Sequence, residues 1–285
     1  MIGPSQPIVV SGRPPQLAER PLLSILTPTL NPGAALRATA ESLARQTFRD
    51  FEWIIKDAGS NDGTLHASLP MKHRMVVASD VGIYDAINQA VFHARGRYVQ
   101  VLAAGDCFAH SRALEELATA LDSHDEPDLV YCSATHRPSG TRWTHPARLH
   151  DWFLYRGAIC HQAQFWSRVC LEALGGYDLS YEIAADREML VRARKRHDIR
   201  TKRVDLDLVT YAGGGFSERP ENRARLEAEI RRIRRTRFNV VQRAGYGLVH
   251  ALTLPGWRSR WNDAAPDNRW ASAYQSLRSW VRRFI

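Results

Sequence analysis

The sequence predicts an α/β protein: a mostly parallel sheet flanked by helices, followed by a basic helical extension. From Leu22 onward, short apolar runs alternate with segments of helical period, the pattern of βαβ units on a largely parallel sheet. Several runs end in turn formers or carboxylates, at the edge where open α/β sheets bind ligands. Charge is divided unevenly. Residues 1–218 hold 24 Lys and Arg against 25 Asp and Glu, whereas 219–285 hold 15 against 5, so the tail carries the whole formal excess of +9.

The elements follow in order. Residues 1–20, with Pro4, Pro7, Pro14 and Pro15 and no periodic apolar pattern, read as a loose leader. LLSILT (22–27) is the first strand, and Asn31-Pro32 supplies a cap and first-turn proline for a helix running to Gln46. FEWIIKD (51–57) is a strand closed by the turn formers 59–63. RMVVASD (74–80) is a strand, 83–94 a helix stopped by Gly96, and YVQVLA (98–103) a strand running into Ala104-Gly105-Asp106. A helix over 111–121 and a strand over 129–134 come next, with a hairpin turn at Pro138-Ser139-Gly140. Residues 184–196 form an amphipathic helix holding Asp186, and 199–212 form one long strand or a strand pair. A Gly213–Gly215 loop then leads to an Arg-rich helix over 219–243.

With 285 residues, 44% hydrophobic and 24% charged, the chain is long enough for one large domain plus an extension, which excludes disordered, collagen-like and coiled-coil classes. No stretch approaches the ~18 consecutive apolar residues of a bilayer-spanning helix, and the start lacks a basic-then-apolar signal pattern. Cys107, Cys132, Cys160 and Cys170 form no CxxC pair, so reduced thiols in a cytoplasmic protein are expected.

The motifs ILTPTLN (25–31), ARQTF (44–48), WIIKDAGSNDGT (53–64), SDVGIYDAINQAVFHARGRYVQVLAAGD (79–106), ICHQAQFW (159–166) and AADREML (184–190) together resemble the family-2 glycosyltransferases. The resemblance spans about residues 22 to 217 and joins the branch with a D-x-G-I-Y-D-A-x-N helix and a Gly-Asp metal motif. It implies a GT-A fold over residues 21–217, with the leader 1–20 before it and a Trp-rich basic extension, 218–285, after it. It also implies inverting transfer of a sugar from a nucleotide-diphosphate donor to an acceptor hydroxyl.

By this resemblance Asp106 holds a divalent cation, Mg²⁺ or Mn²⁺. The family's DxD-like motif is here Ala104-Gly105-Asp106, with a single carboxylate. Departure of a diphosphate suits a cation held by carboxylate oxygen; the plainer role for Asp106 is a cap on the helix beginning near His110. Pro28, Thr29, Asn31 and Asp57 would line the nucleoside, and Asp80, Tyr84, Asp85 and Asn88 the phosphate or sugar beside a helix N-terminus. Gln89-Ala90 stands where Lys-Gly is common, which removes one cationic contact. His161 and Gln162 would touch substrate, and Asp186 matches the general base, with Glu182 and Glu188 as neighbouring carboxylates.

In the tail, Arg231, Arg232, Arg234, Arg235 and Arg237 flank an apolar stripe of Leu226, Ile230, Ile233 and Phe238, and Trp257, Trp261, Trp270 and Trp280 lie beyond. Trp with Arg suits an anionic membrane surface, so a lipid-linked saccharide acceptor at the inner leaflet is expected. Alternatively, the stripe packs on the body. Nucleic acid is a less suitable partner, because no nucleic-acid module is recognisable. The other class open to the sequence is a non-catalytic nucleotide-binding fold whose tail binds membrane or nucleic acid.

Overall fold

The computed structural model describes residues 8–10, 20–121, 126–196 and 199–253. Trp257, Trp261, Trp270 and Trp280 lie outside them, so the Trp-rich part of the expected tail has no structural account. Ten strands among the described residues form one mixed sheet. They are β1 Ile8–Val10, β2 Leu23–Thr29, β3 Phe51–Asp57, β4 Arg74–Val77, β5 Tyr98–Val101, β6 Cys107–Phe108, β7 Leu129–His136, β8 Thr141–Trp143, β9 Gln164–Ser167 and β10 Thr201–Tyr211. Their order is β1-β4-β3-β2-β5-β9-β7-β10-β6, with β8 paired to β7.

The helices are α1 Ala34–Ala44, α2 Ile83–His93, α3 Ala113–Leu121, α4 Asp151–Arg156, α5 Arg168–Leu174, α6 Ala185–Arg196, α7 Arg223–Arg237 and α8 Val240–Thr253.

Strands β4, β3, β2 and β5 run parallel, and β10 is parallel to β7. From β2 the chain steps outward to β3 and β4, then returns to lay β5 on the other side of β2. Reversal of this kind opens a crevice at the carboxyl ends of the strands, the usual ligand edge of such sheets. Consecutive strand residues serve opposite faces, as the two-residue period requires. Leu26, Ile54 and Val99 pack with Ile87, Leu190 and Ile233, whereas Ile25, Trp53 and Tyr98 pack with Leu43, Leu114 and Leu117. Burial on both faces explains the nearly continuous apolar runs in the sequence.

Several local expectations change. The region read as a loose leader contributes β1, which pairs antiparallel with β4 at the sheet edge. Asn31 does not cap α1. It sits at φ 50° with its side-chain oxygen accepting from Asn61 N at 2.8 Å, and Gly33 takes the N-cap position. Gly96 does not terminate α2, which ends at His93. A Cβ on Gly96 would lie 2.4 Å from Ser24 N, so glycine there lets the chain pass against β2. The segment 199–212 is one strand with register shifts rather than a pair.

The Arg-rich segment is two helices. The α7 stripe packs on the body: Ile233 and Phe238 are buried, and Leu226 is partly buried against the same core. Tyr246 of α8 lies 5.4 Å from Trp152 and 5.5 Å from Tyr155 of α4, ring centre to ring centre. No helix among the described residues is long and apolar enough to cross a membrane.

Candidate active site

A cleft of about 580 Å³ opens beside the end of β5, and both Asp106 and Asp186 line it. The turn carrying Asp106 is fixed by hydroxyls of neighbouring elements. Thr27 Oγ1 donates to Leu102 O at 2.7 Å, and Thr39 Oγ1 of α1 donates to Asp106 O at 2.9 Å while accepting from Gly105 N at 2.9 Å. Gly105 has φ +97°, a conformation that a side chain would strain.

Asp106 is 1% exposed. Its Oδ1 accepts from Ala212 N at 2.8 Å, and its Oδ2 is buried with no hydrogen-bond partner among the described residues. Burial pushes the carboxyl up to about 6, against the Ala212 N–H, the Gln162 amide and the Arg137 guanidinium, which favour the anion. An unpartnered carboxylate oxygen in a cleft is a strong site for a cation. The helix-cap alternative does not hold, because α3 begins at Ala113 and the carboxylate binds Ala212 instead.

Asp186 lines the same cleft from the first turn of α6. The Tyr84 hydroxyl lies 2.7 Å from Ile183 O and 3.1 Å from Asp186 Oδ1, sharing one proton between two acceptors. Burial and the Asp186 charge hold the Tyr84 phenol well above its ordinary range, so it remains a donor. Tyr84 stacks on Tyr177 with ring centres 5.4 Å apart, and Tyr177 OH is 2.8 Å from His161 Nε2. Burial lowers the His161 pKa although Asp186 acts the other way, which keeps the ring neutral. Of the neighbouring carboxylates, Glu188 is fully buried and bound by Arg192 and Arg237, while Glu182 lines the cleft and pairs with Arg225.

The structure thus brings Asp106, Asp186, Tyr84, His161 and Gln162 into one cleft. Pro28, Thr29, Asn31, Asp57, Asp80, Asp85 and Asn88 lie outside its lining. Asp57 is buried at the end of β3, with Oδ1 accepting from Gly59 N (2.8 Å) and Ser60 N (2.6 Å) and Oδ2 from Ser60 Oγ (2.7 Å). Asp80 Oδ2 pairs at 2.8 Å with Lys56, itself fully buried. Asp85 Oδ2 accepts from Val81 N and Gln89 Nε2, and Asn88 clasps Tyr177 through both N–H and C=O of that residue. Pro28 is buried within β2, and Asn31 is tied to Ser60 and Asn61. Thr29 Oγ1 is buried without a partner among the described residues, at the end of β2.

Sequence reasoning missed Trp143, His145 and Arg187, and read Leu226 and Ile230 only as part of the apolar stripe; all five line the cleft. His145 accepts from Cys160 N at 3.3 Å, and burial lowers it to about 4. Arg187 donates to Leu154 O and Tyr155 O, and burial brings it down to about 10. No spacing rule marks Trp143, His145 and Arg187, which reach the cleft from separate elements. All four cysteines are free, and burial, reinforced by Asp106 and Asp186, raises Cys160 to about 12. No group of three or more His, Cys, Asp or Glu among the described residues could hold a metal unaided, so a cation here would rest on Asp106 and on the ligand's own oxygens.

Solved structures share this curled, mostly parallel sheet and its flanking helices, the GT-A fold. The crystal structure of S. aureus TarS 1-349 in complex with UDP-GlcNAc aligns with a TM-score of 0.58 at 18% identity, covering 76% of this chain and 67% of that one. Mannosyltransferase PcManGT from Pyrobaculum calidifontis, in complex with GDP-Man and Mn²⁺, aligns with a TM-score of 0.55 at 17% identity, covering 93% and 84%.

The family model "Glycosyl transferase family 2" matches residues 24–174, and the chain belongs to that family. A PGL/p-HBAD biosynthesis glycosyltransferase of Mycobacterium bovis is 34% identical over 204 residues, 69% of this chain and 79% of the relative. An uncharacterized glycosyltransferase of Mycobacterium tuberculosis is 29% identical over 184 residues, 62% and 70%. The protein is therefore a glycosyltransferase, which sets aside the non-catalytic reading.

Proposed function

We propose that this protein is an inverting transferase that moves a sugar from a nucleotide-diphosphate donor to a hydroxyl of a lipid-linked saccharide acceptor, in the synthesis of a glycolipid or cell-surface polysaccharide. The observation that carries the reading is the pairing, in one cleft, of an unpartnered buried carboxylate oxygen on Asp106 with Asp186. Asp186 takes the proton of the acceptor hydroxyl as its oxygen attacks the anomeric carbon from the face opposite the diphosphate. The anomeric C–O bond breaks, and the nucleoside diphosphate leaves with that electron pair.

Asp106 would hold Mg²⁺ or Mn²⁺, which when bound supplies positive charge to the diphosphate oxygens. The nucleoside lies against Thr29 and the 57–62 loop, whose shape Asp57 sets through its bonds to Gly59 and Ser60. His161 and Gln162 contact the sugar, and the Asp80, Asp85 and Asn88 bonds hold the start of α2 in place beside it. The neighbours that bind UDP-GlcNAc and GDP-Man, and the relative named for PGL/p-HBAD biosynthesis, support the donor and acceptor classes.

The tail would rest on an anionic lipid surface through α8. Val240, Val241 and Leu248 are 69%, 80% and 63% exposed, and Arg231 and Arg235 are exposed on α7. Basic residues near such a surface contribute about 1 kcal/mol each. The expected location is the cytoplasmic face of the membrane, and flotation with phosphatidylserine vesicles should weaken in a Val241→Asp, Leu248→Asp variant.

The decisive test is thermal stabilisation by UDP, GDP and dTDP with and without Mg²⁺ or Mn²⁺. Hydrolysis of the matching sugar nucleotide by wild type and Asp106→Asn then follows. A shift that needs both cation and Asp106 supports the reading, and cation-independent turnover by Asp106→Asn would sink it.

A further inference from the structure

The tail helix α7 grips the segment that delivers Asp186 to the cleft. Arg225, Glu229 and Arg232 are spaced four and three apart, so they share one face of the helix. Arg232 donates to Ser180 O at 2.9 Å and Ser180 Oγ at 3.1 Å, and its guanidinium lies 4.4 Å from the centre of the Tyr181 ring. Arg225 pairs with the Glu182 carboxylate. Between them Glu229, 9% exposed, accepts three backbone bonds: Glu182 N at 2.8 Å, Ile183 N at 3.0 Å and Ala184 N at 2.8 Å.

No side-chain cap precedes α6. Ala184, immediately before α6, has no side-chain oxygen to act as a cap, yet its own carbonyl accepts the first helical bond, from Glu188 N at 2.9 Å. Ile183 O accepts from the Tyr84 hydroxyl, which also touches Asp186. The three amides held by Glu229 therefore lie two to four residues before Asp186, and the middle residue, Ile183, shares the Tyr84 hydroxyl with it through its carbonyl. Leu226 and Ile230, on the adjoining face of α7, line the cleft itself.

We infer that Glu229 is a positioning residue for the transfer: by binding the amides of residues 182–184 from α7, it fixes the turn that aims Asp186 at the acceptor hydroxyl. This rests on the assignment of Asp186 as base. A carboxylate that accepts three N–H groups at this burial makes charge-assisted bonds that hold a turn in one geometry. Displacing a reacting group by about 1 Å costs on the order of 100-fold in rate. The basic extension is by this account part of the active site, and the segment ending at Ser217 lacks a component of it.

The test compares full-length Glu229→Gln, Glu229→Asp, Asp186→Asn and the double variant Asp186→Asn/Glu229→Gln. Amide hydrogen exchange, which needs no donor, should quicken at residues 182–188 in Glu229→Gln by about 10-fold or more with the rest of the chain unchanged. Hydrolysis of UDP-GlcNAc or GDP-mannose, whichever is turned over, should show kcat down about 10- to 100-fold with donor KM unchanged. Glu229→Asp, which keeps the charge, should recover part of the loss.

The double variant should be no slower than Asp186→Asn alone, because Glu229 acts through that carboxylate. Losses that multiply, unchanged exchange at 182–188, or exchange quickening across the whole chain would overturn the inference. Should Glu229→Gln not fold, Glu229→Asp carries the same measurements. Normal turnover by Asp186→Asn removes the base assignment and the inference resting on it. Loss there with normal turnover in Glu229→Gln removes the positioning inference alone.

Discussion

Two sets of carboxylates stand near the carboxyl ends of the parallel strands and are used differently. At the ends of β3 and β4, Asp57 binds its own turn and Asp80 neutralises buried Lys56, so their oxygens are committed within the protein. Past β5 and at the start of α6, Asp106 and Asp186 face a shared cleft, and Asp106 Oδ2 accepts no hydrogen bond from the described residues. Strand-end position alone therefore does not mark a reacting carboxylate. What separates the sets is whether the surrounding donors, backbone and side chain together, have already satisfied the oxygens.

Substitutions should separate the two sets in kind as well as size. The largest effect is expected at Asp186→Asn, where loss of a general base lowers kcat by about 10²- to 10⁴-fold with little change in melting temperature. A melting temperature that falls as steeply as activity would place Asp186 with the structural set. Lys56→Met should do the reverse, costing about 3 kcal/mol of stability by leaving Asp80 without its cation. Denaturant titration measures this, and an unchanged midpoint would break the contrast.

Asp57→Ala strands the Gly59 and Ser60 amides and the Ser60 hydroxyl, for about 2 kcal/mol by the same titration. An effect of similar size depends on pH. His145 titrates near 6.5 when unfolded and at about 4 in the fold, so the unfolded chain binds the extra proton first. Its contribution is fully present above pH 6.5 and is lost as pH falls toward 4, about 2 kcal/mol after allowing for solvent screening. A His145→Gln variant should show a correspondingly flatter stability profile over that window.

The strands β2, β3 and β5 and the helices α1, α2 and α6 were legible as alternating apolar runs and helical periods, because burial on both faces of the sheet leaves a one-dimensional record. The turn at Ala104-Gly105-Asp106 was legible too, as a carboxylate following a strand. Gly96 was visible only as a helix stop, since its closeness to Ser24 N is a contact across 72 positions of sequence. His145 and Arg187 had no signal for the same reason.

The basic helix shows the division most clearly. Its arginines and apolar stripe could be read along the chain, and they suited a lipid surface or a protein surface equally well. Packing decided for α7: Ile233 and Phe238 enter the core, Arg232 and Arg237 bind the body, and Glu229 meets three amides some 45 positions away. Sequence fixes hydrophobic period and charge, which act between near neighbours. The satisfaction of each buried carboxylate depends on donors brought from distant segments, and only the folded chain supplies them.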